Sequence, residues 1–198
     1  DFTLGTELTI FERRFAKLIG TKFAVGVNSG TDALKLSLKA INIKSGDEVI
    51  TAANTFVATV GAIVEVGAKP VFVDCDDTFC MDHNLVEKKI TKKTKAIMPV
   101  HWAGRPCELD KIYSIAKKYK LHVIQDSSHV IGASYKKKHL VNFGDACTYS
   151  MHPLKNKNFY KKLKLLRYAG TKNKEFCNYP SSNYKPDTIQ TVFLENSL

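Results

Sequence analysis

Apolar positions recur with two different periods along this chain, and their alternation predicts its architecture. Over residues 8–19, Leu8, Phe11, Phe15, Leu18 and Ile19 fall on one face of a helix that Gly20 can end. Residues 23–27 form a short apolar run that reads as a strand. A helix is predicted over 31–40, with Leu34, Leu38 and the following Ile41 turned inward. Gly46-Asp47 then turns the chain into a strand at 48–51. An apolar helix over 55–66 is closed by Gly67, and a strand follows at 70–74. A short helix at 85–90, a strand at 96–100, a helix at 109–119 and strands at 121–125 and 146–150 complete the regular part.

Strand and helix therefore alternate. Runs such as Val71-Phe72-Val73 and Ala96-Ile97-Met98-Pro99-Val100 are apolar throughout. That is the pattern of parallel strands covered on both faces. The predicted fold is α/β, a three-layer α-β-α sandwich around a mostly parallel sheet. No internal repeat or low-complexity tract is present. Beyond Lys155 the text changes to a basic amphipathic helix at 159–168 and a loop-like stretch at 171–186 rich in Asn, Ser, Pro and Tyr. A helical pattern resumes over 186–198, with Ile189, Val192 and Phe193 apolar.

Composition narrows the class. The 198 residues suffice for one domain with a real core, and 44% hydrophobic with 25% charged residues is ordinary for a globular chain. No apolar stretch is long enough to span a bilayer, so no membrane partner is expected. Asp1-Phe2-Thr3-Leu4 lacks the flank of a signal peptide and an initiator Met, so a processed chain or a fragment is expected. The cysteines, Cys75, Cys80, Cys107, Cys147 and Cys177, are odd in number, irregular in spacing and without a Cys-x-x-Cys pair. Neither a metal site nor a disulfide framework is supported; reduced thiols in a cytoplasm are the plain reading, with Cys107 and Cys147 as packing residues. The net charge of +11 comes from short lysine clusters such as Lys88-Lys89 and Lys136-Lys137-Lys138, without interleaved aromatics. They read as solvated faces with a mild attraction for anions rather than as a nucleic-acid site.

Candidate chemistry gathers at strand ends, where open α/β sheets bind ligands. Ser29-Gly30-Thr31 precedes a helix, where a glycine lets the backbone approach an anion; the same tripeptide also serves as a plain N-cap. Asp126 ends an apolar strand, where a carboxylate needs a partner, although it could also cap the next segment. Phe56 could stack on a flat ring or join the core. His129 could stand beside a cofactor oxygen or pack at the chain reversal, and His152 reads as a loop histidine. Ser150 closes a strand, and Lys155 follows in a turn containing Pro153. An amine, a buried-type carboxylate and a phosphate-cradling turn are the three groups that pyridoxal phosphate requires.

Three long stretches then carry a resemblance: 20–34 (Gly-Thr-Lys-Phe-Ala-Val-Gly-Val-Asn-Ser-Gly-Thr-Asp-Ala-Leu), 46–56 (Gly-Asp-Glu-Val-Ile-Thr-Ala-Ala-Asn-Thr-Phe) and 67–74 (Gly-Ala-Lys-Pro-Val-Phe-Val-Asp). In this order they resemble the DegT/DnrJ/EryC1/StrS aminotransferases, sugar aminotransferases of fold type I. The likeness runs from about residue 7 to the end. It implies the large, cofactor-binding domain of that fold over residues 1–198. It also implies transamination of a nucleotide-linked keto-sugar, with glutamate or glutamine as amino donor, in amino-sugar synthesis for surface polysaccharide or secondary metabolites. By position, Lys155 matches the Schiff-base lysine and Asp126 the partner of the pyridine nitrogen. His129 stands where most members have Gln, and Phe56 matches the stacking aromatic. Gly30, Thr31 and Ser150 match phosphate ligands, and Ser29 belongs to the same turn. Asn183 matches an asparagine that reaches the phosphate of the neighbouring subunit, which implies a homodimer with shared active sites.

The sequence also departs from the family pattern. Asn156-Lys157-Asn158 runs almost directly into Phe159-Tyr160, so the strand expected after the lysine is missing. Lys185 replaces the customary Arg near Asn183, and the smaller C-terminal domain is expected to be absent. Two alternatives follow. One is a non-catalytic remnant that binds cofactor or a partner subunit. The other is a sugar dehydratase of the same family, against which Lys155 speaks, because that branch carries His there.

Overall fold

In the computed structural model, residues 6–151 are described, and they confirm most of the predicted elements. The chain divides into two units, of which Gly30–Ser150 carries the sheet. Within it, parallel strands β1 (Glu48–Ala52), β2 (Lys69–Val73), β3 (Thr94–Met98), β4 (His122–Asp126) and β7 (Ala146–Thr148) lie in the order β2-β1-β3-β4-β7. Helices α2 (Gly30–Ala40), α3 (Val57–Glu65), α4 (His83–Val86) and α5 (Leu109–Tyr119) connect or flank them.

The side-chain period of two along each strand builds the two faces. Val49, Ala96, Met98 and Ile124 point to one side and pack with Leu34 and Leu38 of α2 and Ala62 and Ile63 of α3. Their neighbours Ile50, Ile97 and Val123 point the other way and pack with Val86 of α4 and Ile112 and Ala116 of α5. The chain steps from β1 to β2 through α3 on one face. It steps from β3 to β4 through α5 on the opposite face, as right-handed crossovers in opposite directions require. The winding thus reverses next to β1, and the carboxyl ends of β1, β3, β4 and β7 share one edge.

Local signals explain the element ends. Gly67 closes α3 with φ +83°, a conformation that favours glycine, and a Cβ there would meet Ser45 at 3.3 Å. The short helix expected at 85–90 is observed as α4 followed by a 3-10 turn at Glu87–Lys89, and Asp82 caps it by accepting from Asn84 N. Helix α3 begins at Val57 rather than residue 55, because Phe56 is extended at φ −70°, ψ 144°.

In the other unit, α1 (Thr6–Ile19) buries Phe11, Phe15, Ala16 and Ile19, and the Phe11 and Phe15 rings stack 5.5 Å apart. The strand expected at 23–27 is not formed. Phe23 is 82% exposed, and Gly26 N donates at 2.7 Å to the Glu12 carboxylate of α1 instead of to a ladder carbonyl. An apolar run makes a strand only where a neighbour offers a ladder.

The sequence reading also missed the hairpin of β5 (Ser134–Tyr135) and β6 (Lys138–His139). Tyr135 docks it on the start of α5, its one hydroxyl proton shared between Glu108 Oε2 at 3.0 Å and Asp110 Oδ1, while Lys136 pairs with Asp110 at 2.7 Å. The Asp110 carboxyl is held down at about 2, first by Lys136 and then by the Tyr135 hydroxyl. Its folded value lies below the unfolded value of about 3.9. The clamp therefore stabilises above that unfolded value and is lost as pH falls through the folded one.

Two outcomes are expected. Leu38, fully buried between α2 and the sheet, should cost about 2–5 kcal/mol when changed to Ala, read by denaturant unfolding. Asp110→Asn should speed hydrogen exchange in 134–139 at neutral pH and flatten the loss of thermal stability between about pH 4 and 2. An unchanged acid limb would show that the clamp is not formed in solution.

Candidate functional site

The chemistry centres on the carboxyl end of β4. Asp126 is 4% exposed. Its main chain is pinned from both sides: Asp126 N donates to Pro99 O at 2.9 Å and its carbonyl accepts from His101 N at 3.1 Å. On the β7 side, Ser127 N donates to Thr148 O at 2.8 Å. The side chain is held as firmly. Thr59 Oγ1 of α3, itself fully buried, donates to Asp126 Oδ2 at 2.8 Å, and Ser128 N donates to Oδ1 at 3.1 Å. Thr55 Oγ1 in turn donates to Thr59 Oγ1 at 2.8 Å. A carboxylate taken out of water needs such donors, and here both oxygens have one.

Behind it lies a second buried polar chain. His101 is fully buried, and its Nδ1 accepts from Cys107 N at 3.1 Å, so the ring proton sits on Nε2. That Nε2 donates to Gln125 Oε1 at 2.9 Å, and Gln125 Nε2 donates to Leu140 O at 2.8 Å. Burial lowers the His101 pKa and keeps the imidazole neutral. This chain fixes the strand that carries Asp126.

Two residues past β7, Ser150 lies against the first residue of α2. A Cβ built on Gly30 would stand 2.8 Å from Ser150 Cβ and 3.3 Å from Ser150 Oγ. Only glycine lets the helix start approach so closely. The orphan N–H groups of that first turn, with Thr31 next in line, suit an anion. The Cys80 pKa is lowered to about 6, foremost by its bond with Cys107, while those of Cys147 and Cys107 are raised. Cys147 lies 2.9 Å from Ser127 Oγ and is held as the thiol by burial. The Cys107 pKa is pushed well up, foremost by its bond with Cys80 and then by burial.

The predicted residues distribute as follows. Asp126, Gly30, Thr31 and Ser150 all stand at the shared strand-end edge of the Gly30–Ser150 unit. Phe56 is 67% exposed at the N-cap of α3, one residue after Thr55, so it is not a core residue. His129 is exposed and sets its ring edge-on to Trp102 at 5.8 Å. Ser29 belongs to the other unit. Lys155 and Asn183 lie outside the described residues. Sequence reasoning missed Thr59 and Trp102, and gave Thr55 no role beyond its place in the 46–56 stretch. Thr59 carried a signal, being the one hydroxyl residue in the otherwise apolar Val-Ala-Thr-Val-Gly-Ala-Ile-Val. An open groove of about 380 Å³ at the β2 edge, lined by Ala53, Phe72, Asp74 and Lys88 among others, contains none of the predicted residues.

A doubly wound α/β unit with a buried carboxylate at one strand end and a glycine-fronted helix start beside the next belongs to the cofactor-binding class of such folds. The donor set fits pyridoxal phosphate: Asp126 suits a protonated ring nitrogen, and the Gly30–Ser150 approach leaves a cradle that a Cβ would fill. The chain belongs to the DegT/DnrJ/EryC1/StrS aminotransferase family, whose model matches residues 1–190.

Among its relatives is an uncharacterized protein of Methanocaldococcus jannaschii, 43% identical over 193 residues, covering 90% of this chain and 50% of that protein. The dTDP-3-amino-3,6-dideoxy-alpha-D-galactopyranose transaminase of Aneurinibacillus thermoaerophilus is 38% identical, covering 100% of this chain and 58% of its own length. S. venezuelae DesV, solved in complex with a ketimine intermediate, superimposes with a TM-score of 0.79 at 33% identity, covering 98% of this chain and 56% of that one. Similar chains have been solved in pyridoxal-phosphate and pyridoxamine-phosphate forms. This chain spans about half the length of the curated relatives it matches.

Gly30→Ala tests the cradle. Its methyl must push Ser150 away, so pyridoxal phosphate should bind at least about tenfold more weakly, and thermal stability should fall, because the overpacking outweighs the gain in helix propensity. Fluorescence titration with the cofactor and a melting curve read the two effects.

Proposed function

We propose that this chain is the cofactor-binding part of a pyridoxal-phosphate-dependent transaminase. It would move an amino group from glutamate or glutamine to a nucleotide-linked keto-sugar, in amino-sugar biosynthesis. The observation that carries this reading is the buried Asp126 carboxylate beside the Gly30–Ser150 cradle, in a chain of this family. The sugar specificity follows the relatives, one of which is a dTDP-sugar transaminase and another a spore coat polysaccharide biosynthesis protein of Bacillus subtilis.

Each residue has a role. Bound pyridoxal phosphate supplies a conjugated ring that takes up the electron pair released from the donor's C–H bond. Asp126 holds the proton on the ring nitrogen, which makes that uptake favourable. Gly30, Thr31 and Ser150, with Ser29 in the same turn, hold the phosphate at the positive end of α2. Phe56, already exposed at the strand end, covers a face of the ring. By the family resemblance, His129 would stand beside the phenolic oxygen. Lys155 Nζ takes and returns the proton during amino transfer. By the same resemblance, Asn183 would serve the phosphate of a neighbouring subunit, and the working form would be a homodimer with shared sites. No described helix is long and apolar enough to cross a membrane.

Adding pyridoxal phosphate to the full chain, reducing with borohydride and mapping peptides tests this reading. A pyridoxyl group is expected on Lys155, and Lys155→Ala should abolish it. Labelling spread over the exposed lysines, with no preference for Lys155, would overturn the assignment. Amino-group turnover with a keto-sugar nucleotide then separates a transaminase from a remnant that only binds.

A further inference from the structure

We propose that Thr59, with Thr55 behind it, is the positioning residue for the Asp126 carboxylate, acting through that carboxylate on the ring nitrogen of the bound cofactor. This inference rests on the reading of Asp126 given above and extends it to α3.

The geometry sets Thr59 apart. It lies in the first turn of α3, where every other side chain is apolar or glycine, and it is fully buried. A threonine hydroxyl in such a place usually bonds back to a carbonyl of its own helix. Here it reaches 2.8 Å across to Asp126 Oδ2, a residue 67 positions away in sequence. Its own lone pair is used as well, because Thr55 Oγ1 donates to it at 2.8 Å. Both its donor and acceptor roles are thereby assigned, and the hydroxyl proton can point only at the carboxylate. The other oxygen, Oδ1, takes Ser128 N at 3.1 Å. One donor comes from α3 and one from the loop after β4, so the carboxylate plane is fixed from two independent elements.

The relay also links two parts of the site. Thr55 and Phe56 lead into α3, and Phe56 is the exposed aromatic proposed to cover the ring. The same five-residue stretch therefore orients the group under the ring nitrogen and presents the aromatic. A change in the Thr55–Thr59 bond should be felt at Asp126, although neither hydroxyl needs to touch the cofactor.

The test compares two cofactors that differ at one ring atom. Pyridoxal phosphate and 1-deazapyridoxal phosphate, which has carbon in place of the ring nitrogen, are titrated against the full chain and its variants. Thr59→Val is expected to weaken pyridoxal phosphate by roughly tenfold, the loss of one hydrogen bond to a charged group, and to leave the deaza analogue within about twofold. Thr59→Ser should restore the wild-type preference. Thr55→Val, which keeps the Thr59 hydroxyl, should reduce the preference by a smaller factor and carries the same comparison if Thr59→Val does not fold. Equal weakening of both cofactors, or none, in the folded Thr59 and Thr55 variants would overturn the inference. Asp126→Ala separates this from failure of the underlying reading. If removing the carboxylate leaves the preference for pyridoxal phosphate intact, Asp126 does not serve the ring nitrogen and both proposals fall.

Discussion

Burying a carboxylate at the end of a parallel strand is the constraint on which the rest of this site depends. Asp126 sits almost fully out of water and would be costly there unless both oxygens were bonded. One donor is a backbone N–H from Ser128, which the chain supplies simply by turning after β4. The other is a side chain on α3, which can be present only if α3 packs flat on the sheet at the correct height. Packing of the apolar face and placement of the acid are thus one problem. Ala62 and Ile63 bury against Val49, Met98 and Ile124, and that contact sets where Thr59 Oγ1 comes to rest.

The same logic holds on the other side of the strand. Gln125 points away from Asp126 by the period of two, and it is fixed through His101 and Leu140. A neutral buried imidazole, kept so by desolvation, ties the loop after β3 to β4 without introducing a second charge. Gly30 and Ser150 then meet because α2 packs on the sheet face shared with α3 while β7 pairs with β4 in register, Asp126 opposite Thr148. The acid and the anion cradle are therefore positioned by adjacent strands and by helices on one face. No long loop is needed to bring them together.

Much of this was legible in the sequence because it follows from periodicity. The alternation of Val49 and Ile50, or Ala96 and Ile97, announces a sheet covered on both sides, and the apolar run ending in Asp126 marks a strand that carries its acid into a covered layer. Position along the chain was enough to place Gly30, Thr31 and Ser150 at the same edge. Other features depend on partners that a linear reading does not contain. The run from Phe23 to Val27 has strand-like composition but bonds to Glu12 of α1. The hairpin turns on Lys136 and Lys137 at φ 48° and 62°, where Asn-Gly would have signalled it; tertiary anchoring by Tyr135 to α5 substitutes for turn propensity. Thr59 looked like one more helix residue, because the bond that gives it meaning spans two elements far apart in the chain.

The state of the ring nitrogen is the most direct measure of this account. Pyridoxal phosphate labelled with ¹⁵N at the ring can be bound to the full chain and its nitrogen resonance read by NMR at neutral pH. The account predicts the protonated position, with a coupling to the ring proton, and a return to the unprotonated position when Asp126 is replaced by Ala. An unprotonated nitrogen in the wild-type chain, or a protonated one indifferent to the loss of that carboxylate, would contradict it.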